Sequence, residues 1–180
     1  VREYLLQVGA LLRHPGTSRE LSFRAPFDPE GVLGATSIGA TEVVPGADVE
    51  VRLVLTSFVG GITARGLLLA PWRGVCRRCA TEAAGVLEVD VDERFRPGAT
   101  PDDEDDYPLE DEAVDLAPLI RDAVVLALPL APLCRHDCAG LCPTCGEDRN
   151  LVQCACQPVK DARWATLDAL RVPGEAQERP

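Results

Sequence analysis

The chain has 180 residues, of which 46% are apolar and only 4% aromatic, so one sizeable core, or one core and a small satellite, must rest on Val, Leu and Ala. Its formal charge is −11, but nine of the 29 acidic residues lie between Asp102 and Asp115 with no base among them. The rest is close to neutral, so acidity alone does not exclude a local basic footprint, while the absence of any apolar run near the ~20 residues of a bilayer span excludes a helical membrane span.

The start, Val1-Arg2-Glu3-Tyr4, lacks a signal-peptide shape, and a reducing cytoplasm is the expected compartment. Short apolar pieces, Tyr4-Leu5-Leu6 and Ala10-Leu11-Leu12, precede a Pro15-Gly16 turn and an edge-strand candidate at Leu21-Ser22-Phe23. Ile38 to Val44 reads as a strand that stops at Pro45-Gly46. Val49, Val51, Leu53 and Leu55 then alternate with Glu50, Arg52 and Thr56, the period of a half-buried strand. Gly60-Gly61 signals a hairpin, Ile62 to Leu69 returns, and Val86, Val89 and Val91 mark one more strand. Residues 96–101 break the pattern with two prolines and a glycine, and the dense acidic run after them predicts a solvated, disordered loop. An acidic arm that mimics RNA or grips a basic partner is the functional alternative.

Asp115 is placed as a helix N-cap with Pro118 in the first turn. Leu116, Leu119, Ile120, Ala123, Val124 and Ala127 share a helical face, and Val125 and Leu126 widen it to a helix buried on more than one side. Asp161 caps a last helix carrying Trp164, Leu167 and Leu170, and Pro173-Gly174 ends the structured part. The elements predict an α+β protein: an antiparallel β meander or open barrel-like sheet, a buried helix and a C-terminal zinc-knuckle segment. The expected divisions are a β block over 1–97, the acidic loop over 98–114, a helix and cysteine-rich segment over 115–172, and a frayed tail over 173–180.

Eight cysteines form four close pairs: Cys76 with Cys79, Cys134 with Cys138, Cys142 with Cys145, and Cys154 with Cys156. Pairs two to four residues apart chelate one ion from a single turn, and two pairs complete a tetrahedral zinc site. Two Zn²⁺ per chain are therefore expected, with no cysteine left over, and in a reducing compartment metal is favoured over disulfide. Cys142-Pro-Thr-Cys145-Gly146 is the strongest local signal, because the glycine allows the positive φ that a knuckle needs. Its partner is Cys154-Ala-Cys156, whose i and i+2 side chains share one side of an extended segment. Cys76, Cys79, Cys134 and Cys138 make the second site, a clip closing a loop of more than 50 residues. His136 is a competing ligand there, and another pairing of the four pairs stays open.

Other chemistry is thin. The chain has no His-Glu-x-x-His, no phosphate-binding glycine loop and no Gly-x-Ser-x-Gly, and its only histidines are His14 and His136. Four-thiolate zinc keeps no open position for water, which marks a structural site. No catalytic residue is assigned. Arg73, Arg77 and Arg78 are candidate RNA contacts, although guanidiniums at a knuckle also offset thiolate charge, and 17 Arg among 18 bases fits a GC-rich genome as well as phosphate binding.

The order of features resembles one family. Cys76-x-Arg78-Cys79 lies in a β block, followed by an acidic insert, the helix from Asp115 to Pro129, then Cys134-x3-Cys138-x-Gly140-Leu141-Cys142-Pro143-x-Cys145-Gly146, Cys154-x-Cys156 and Asp161-Ala-Arg-Trp164. This is similar to the YceD family of bacterial and plastid large ribosomal RNA subunit accumulation proteins, in a zinc-binding form with extra C-terminal cysteines, over roughly residues 1–172. The resemblance implies a non-enzymatic role in large-subunit ribosomal RNA accumulation and ribosome assembly. The implied partners are large-subunit precursor rRNA or a large-subunit ribosomal protein, with no membrane and no small-molecule substrate. Bacterial members are typically encoded beside a large-subunit ribosomal protein. Some members lack the distal Cys-Pro-x-Cys-Gly set and keep the middle pair, in line with two separate sites. Two other functions stay open: an RNA-processing nuclease or nuclease-activating subunit, and a zinc-stabilised interaction module unrelated to ribosomes.

Overall fold

Strict alternation along Asp48–Phe58 organises the sheet. Val49, Val51, Leu53 and Leu55 are each no more than 2% exposed, while Arg52 and Val54 face outward. The computed structural model describes residues 4–27, 36–100, 106–157 and 163. The chain divides into two compact units, residues 1–74 with 84–130, and residues 75–83 with 131–180.

The first unit is built on a nine-stranded sheet. Its strands are β1 (Leu5–Gln7), β2 (Ser18–Pro26), β3 (Ser37–Ile38), β4 (Thr41–Val43), β5 (Asp48–Phe58), β6 (Gly61–Val75), β7 (Glu82–Arg96), β8 (Tyr107–Glu110) and β9 (Ala113–Asp115), with helices α1 (Gly9–Leu12) and α2 (Leu116–Ala127). The main order is β1-β9-β8-β7-β6-β4-β3, and β5 joins β2 to β6. Two strands thus share one edge of the 15-residue β6: β5 pairs along Gly61–Leu69 and β4 along Trp72–Gly74. Between Arg65 and Leu67, Gly66 sits at φ 151°, and a Cβ there would lie 2.1 Å from the Arg52 carbonyl oxygen, so this close approach requires glycine. The sheet is open and curled, with the core on its inner face.

The expected open sheet is present, but not as a strict meander. β7 and β8 run parallel at Phe95↔Tyr107 and Arg96↔Pro108. β1 pairs with the distant β9, Leu6 opposite Val114. The single strand expected over Ile38–Val44 is a tight hairpin turning at Gly39-Ala40, with Gly39 at φ 60°. The β5–β6 turn is Val59-Gly60, and Gly61 already pairs with Phe58. On β7, Val91 is buried but Val86 is 63% exposed, because an even-numbered position lies on the outer face.

Part of the segment expected as an acidic loop forms strands. Residues 101–105 lie outside the described residues, but Tyr107–Glu110 and Ala113–Asp115 form a two-residue hairpin with Asp111 and Glu112 at φ 49° and 56°. Both turn residues adopt the positive φ of a type I′ turn. Val114 is fully buried and Leu109 is 7% exposed, so apolar residues between the carboxylates decide the conformation. Asp106 lies against Arg94 and Arg96 at 3.1 and 3.5 Å.

Asp115 caps α2 as expected, its Oδ1 accepting from the Ala117 N–H at 2.9 Å. Leu116, Leu119, Ile120 and Val124 are at most 1% exposed. Each such burial contributes about 1.5–3 kcal/mol. The broader burial expected from Leu126 is absent: it is 80% exposed, and Ala127 is exposed too, so α2 buries one face only. After α2, buried Thr41 donates its hydroxyl to the Pro129 carbonyl at 2.8 Å. The last helix expected from Asp161 with Trp164, Leu167 and Leu170, and the tail over 173–180, lie outside the described residues.

Candidate metal centres

The β6–β7 hairpin ends in Cys76-Arg-Arg-Cys79, and its tip belongs to the second unit. The turn is held by two backbone bonds: the Ala80 N–H donates to the Cys76 carbonyl at 2.9 Å, and the Cys76 N–H to the Thr81 carbonyl at 2.8 Å. Cys142-Pro-Thr-Cys145 repeats this pattern. The Gly146 N–H donates to the Cys142 carbonyl at 2.9 Å and the Cys142 N–H to the Glu147 carbonyl at 2.8 Å. Gly146 is left-handed at φ 77°, and Ala80 adopts the same region at φ 61° without being glycine. The two turns are therefore the same knuckle made from different sequences.

The eight sulfurs gather into the two sets expected from spacing. Cys76, Cys79, Cys134 and Cys138 form the proximal cluster, and Cys142, Cys145, Cys154 and Cys156 the distal one, with all sulfurs of each within 4.8 Å of one another. Neither group contains His136. Proximal contacts are 3.8 Å between Cys76 and Cys138 and 3.5 Å between Cys79 and Cys134. A tetrahedral ion with Zn–S bonds of about 2.3 Å places its sulfurs about 3.8 Å apart. The donor set and spacing therefore fit a thiophilic divalent ion.

The thiol acidities point the same way. Burial pushes the Cys76 thiol up, but the N–H groups of Cys134, Cys79 and Arg78 outweigh it and bring the pKa down to about 6. In the distal knuckle the N–H groups of Cys145 and Thr144 bring Cys142 down to about 6. Cys134 is pushed up to about 12, first by the adjoining Cys79 sulfur, and Cys156 to about 12, first by Cys145. Within each cluster some thiols are thus shifted towards ionisation and others away from it, because adjoining thiolates repel. A bound dication removes that conflict.

Surrounding side chains fix the ligands, and the sequence alone did not single them out. The Thr81 hydroxyl lies 3.0 Å from the Cys79 sulfur. Asn150 donates its amide N–H to the Cys138 sulfur at 3.4 Å and to Asp148 at 2.6 Å, while its Oδ1 accepts from the Ala139 N–H at 2.7 Å and from Arg135 at 2.8 Å. Asn150 lies in the loop between the two distal pairs, so that loop reaches a proximal ligand. An Asp148-x-Asn150 Asx turn was its one sequence signal.

The candidate RNA-contact arginines are placed differently from one another. Arg73 on β6 pairs with Glu42 at 2.6 Å. Arg78 donates from its guanidinium to the Cys138 carbonyl at 2.9 Å, and its own carbonyl accepts from the Leu141 N–H at 2.9 Å. Arg77 is exposed, and of the three only its guanidinium has no partner among the described residues. No helix among the described residues is long and apolar enough to cross a membrane.

The model of the family described as "Large ribosomal RNA subunit accumulation protein YceD" matches residues 65–171, more than half of the chain and all eight cysteines. The chain belongs to the YceD family. An uncharacterized protein of Mycobacterium tuberculosis is 38% identical over 177 residues, covering 90% of this chain and 78% of the relative. One from Mycobacterium leprae is 30% identical over 137 residues, covering 73% of this chain and 63% of that protein. A maize protein named large ribosomal RNA subunit accumulation protein YCED homolog 1, chloroplastic, is 38% identical over 86 residues, covering 47% of this chain and 25% of its own length. No solved structure matches the chain. In this YceD protein the first cysteine knuckle, the helix and the distal cluster all fall inside the family match.

Proposed function

We propose that this YceD protein is a non-enzymatic cytoplasmic factor that supports accumulation of large-subunit ribosomal RNA, held together by two structural zinc ions. The carrying observation is the pair of four-sulfur clusters within a YceD-family match. Cys76, Cys79, Cys134 and Cys138 would hold one ion, and Cys142, Cys145, Cys154 and Cys156 the other. Four thiolates fill a tetrahedral zinc, so the ion supplies cross-linking rather than an activated water. The protein's own residues set the turns, donate to the sulfurs and exclude solvent from the buried ligands.

Charge favours a basic large-subunit ribosomal protein over bare precursor RNA as the direct partner. Of the 18 basic and 29 acidic residues, 8 and 8 fall in the second unit, so the whole formal charge of −11 falls on the first. Two zinc-tetrathiolate centres would add about −2 each to the second unit. Most described arginines are spent on carboxylates, including Arg24 and Arg52 on Glu50, Arg65 on Asp92, and Arg94 and Arg96 on Asp106. Such a surface repels phosphate and attracts a basic chain.

Depletion of the protein, followed by quantification of precursor and mature large-subunit RNA and by sedimentation of subunits, tests the role. Loss of mature large-subunit RNA and of free large subunits is expected. Unchanged profiles would refute it.

A further inference from the structure

The two clusters differ sharply in protection. In the proximal cluster Cys76, Cys79 and Cys138 are 2%, 5% and 2% exposed, and two of those sulfurs lie against the Thr81 hydroxyl and the Asn150 amide. Its one exposed thiol, Cys134, has the buried Cys79 as its close sulfur neighbour. In the distal cluster only Cys142 is buried; Cys145 and Cys156 are exposed and Cys154 is half-buried. No side-chain hydroxyl or amide reaches a distal sulfur among the described residues. An open cleft of about 480 Å³ borders this cluster, lined by Cys142, Cys154, Cys156, Pro143, Thr144 and Val152 among others. The exposed Cys145 and Cys156 sulfurs lie within 4.8 Å of one another.

We propose that the distal cluster is an oxidation site, at which hydrogen peroxide joins Cys145 to Cys156 while the proximal cluster stays reduced. One sulfur attacks a peroxide oxygen, the O–O bond breaks, and the departing hydroxide takes up a proton to become water. The sulfur is left as a sulfenic acid. The second sulfur attacks it, the S–S bond forms, and the sulfenic oxygen leaves as a second water with another proton. Two thiolates together lose two electrons and the peroxide gains two. The distal site then keeps Cys142 and Cys154, too few thiolates to close a tetrahedral site. Release of a metal ion rests on the zinc reading above; the order of thiol oxidation does not.

Sequence supplies a direct readout. Trypsin cuts after Arg135, Arg149 and Lys160, so Cys145 and Cys156 fall in different peptides, 136–149 and 150–160. The purified full chain is first assayed for zinc and then titrated with hydrogen peroxide. Released zinc is followed with a chromogenic chelator, and remaining thiols are alkylated under denaturing conditions before peptide mass spectrometry. One zinc of two is expected to leave first, with Cys145 of peptide 136–149 joined to Cys156 of peptide 150–160 in the fragment spectra, and with Cys76, Cys79, Cys134 and Cys138 fully alkylated. Oxidation of the proximal thiols first or at the same rate overturns the proposal, as does a disulfide confined to peptide 150–160. A chain isolated without zinc refutes the metal reading alone, because the thiol order is still read from the peptides.

Discussion

Exchanging the residues at the two knuckle corners measures the strain in each ligand turn. Ala80 and Gly146 occupy the same position in hydrogen-bonded turns of the same form, at φ 61° and 77°. An L-residue in the left-handed region costs roughly 1–2 kcal/mol. Glycine returns roughly 0.5–1 kcal/mol of that through the greater freedom of the unfolded chain. A Cβ on Gly146 would meet nothing within 4 Å, so backbone conformation alone sets the cost there. Ala80→Gly should therefore strengthen the proximal site by about 0.5–1 kcal/mol, and Gly146→Ala should weaken the distal site by the same amount, about two- to fivefold in metal affinity. Competition of the zinc-loaded chain against a chelator of known affinity reads both values. A weaker proximal site in Ala80→Gly, or an unchanged distal site in Gly146→Ala, would refute the shared-knuckle geometry.

Asn150→Ala should loosen the proximal ion although Asn150 is not a ligand, by about 1 kcal/mol for a lost hydrogen bond, or about fivefold in chelator competition; an effect on the distal ion alone would contradict the Asn150–Cys138 contact. Gly140→Ala should cost the proximal site more than Gly146→Ala costs the distal one, because Gly140 sits at φ 72° and a Cβ there would lie 2.9 Å from the Arg78 carbonyl oxygen. Equal effects in parallel chelator titrations would rule out that crowding. Tyr107 has a pKa pushed up to about 12, first by burial and then by the Asp122 and Glu93 carboxylates. A raised folded pKa keeps its stabilising contribution below the ordinary value near 10 and loses it as pH rises towards 12. Denaturation midpoints of the native chain should fall more steeply between pH 10 and 12 than those of Tyr107→Phe; parallel slopes would show that Tyr107 does not titrate in the folded state.

Much of the fold and the clusters was legible because the determining signals are local. Val49 to Leu55 carry the period of a buried strand face, Asp115 carries a cap, and cysteines two to four residues apart can reach one ion. The failures came where a distant contact overrides local composition. Nothing near Leu5 names Val114 as its strand's partner, since β1 and β9 meet across more than 100 residues. The carboxylates after Asp106 suggested solvated chain, but the buried Leu109 and Val114 outweigh them. Leu126 looked like core, yet it is 80% exposed, because only one side of α2 meets the sheet's core; Val125 packs against that core in part. At the metal centres, the distal knuckle advertised its corner with Gly146, while Ala80 concealed the same turn.

The most direct test of the two-cluster account is zinc content combined with thiol protection in the intact chain and in Cys76→Ser and Cys142→Ser. Two zinc per chain are expected, with all eight thiols shielded from alkylation until a chelator is added. Cys76→Ser should keep one zinc and expose Cys79, Cys134 and Cys138 alone; Cys142→Ser should keep one and expose Cys145, Cys154 and Cys156 alone. Fewer than two zinc in the intact chain, or exposure that crosses between those groups, would contradict the account.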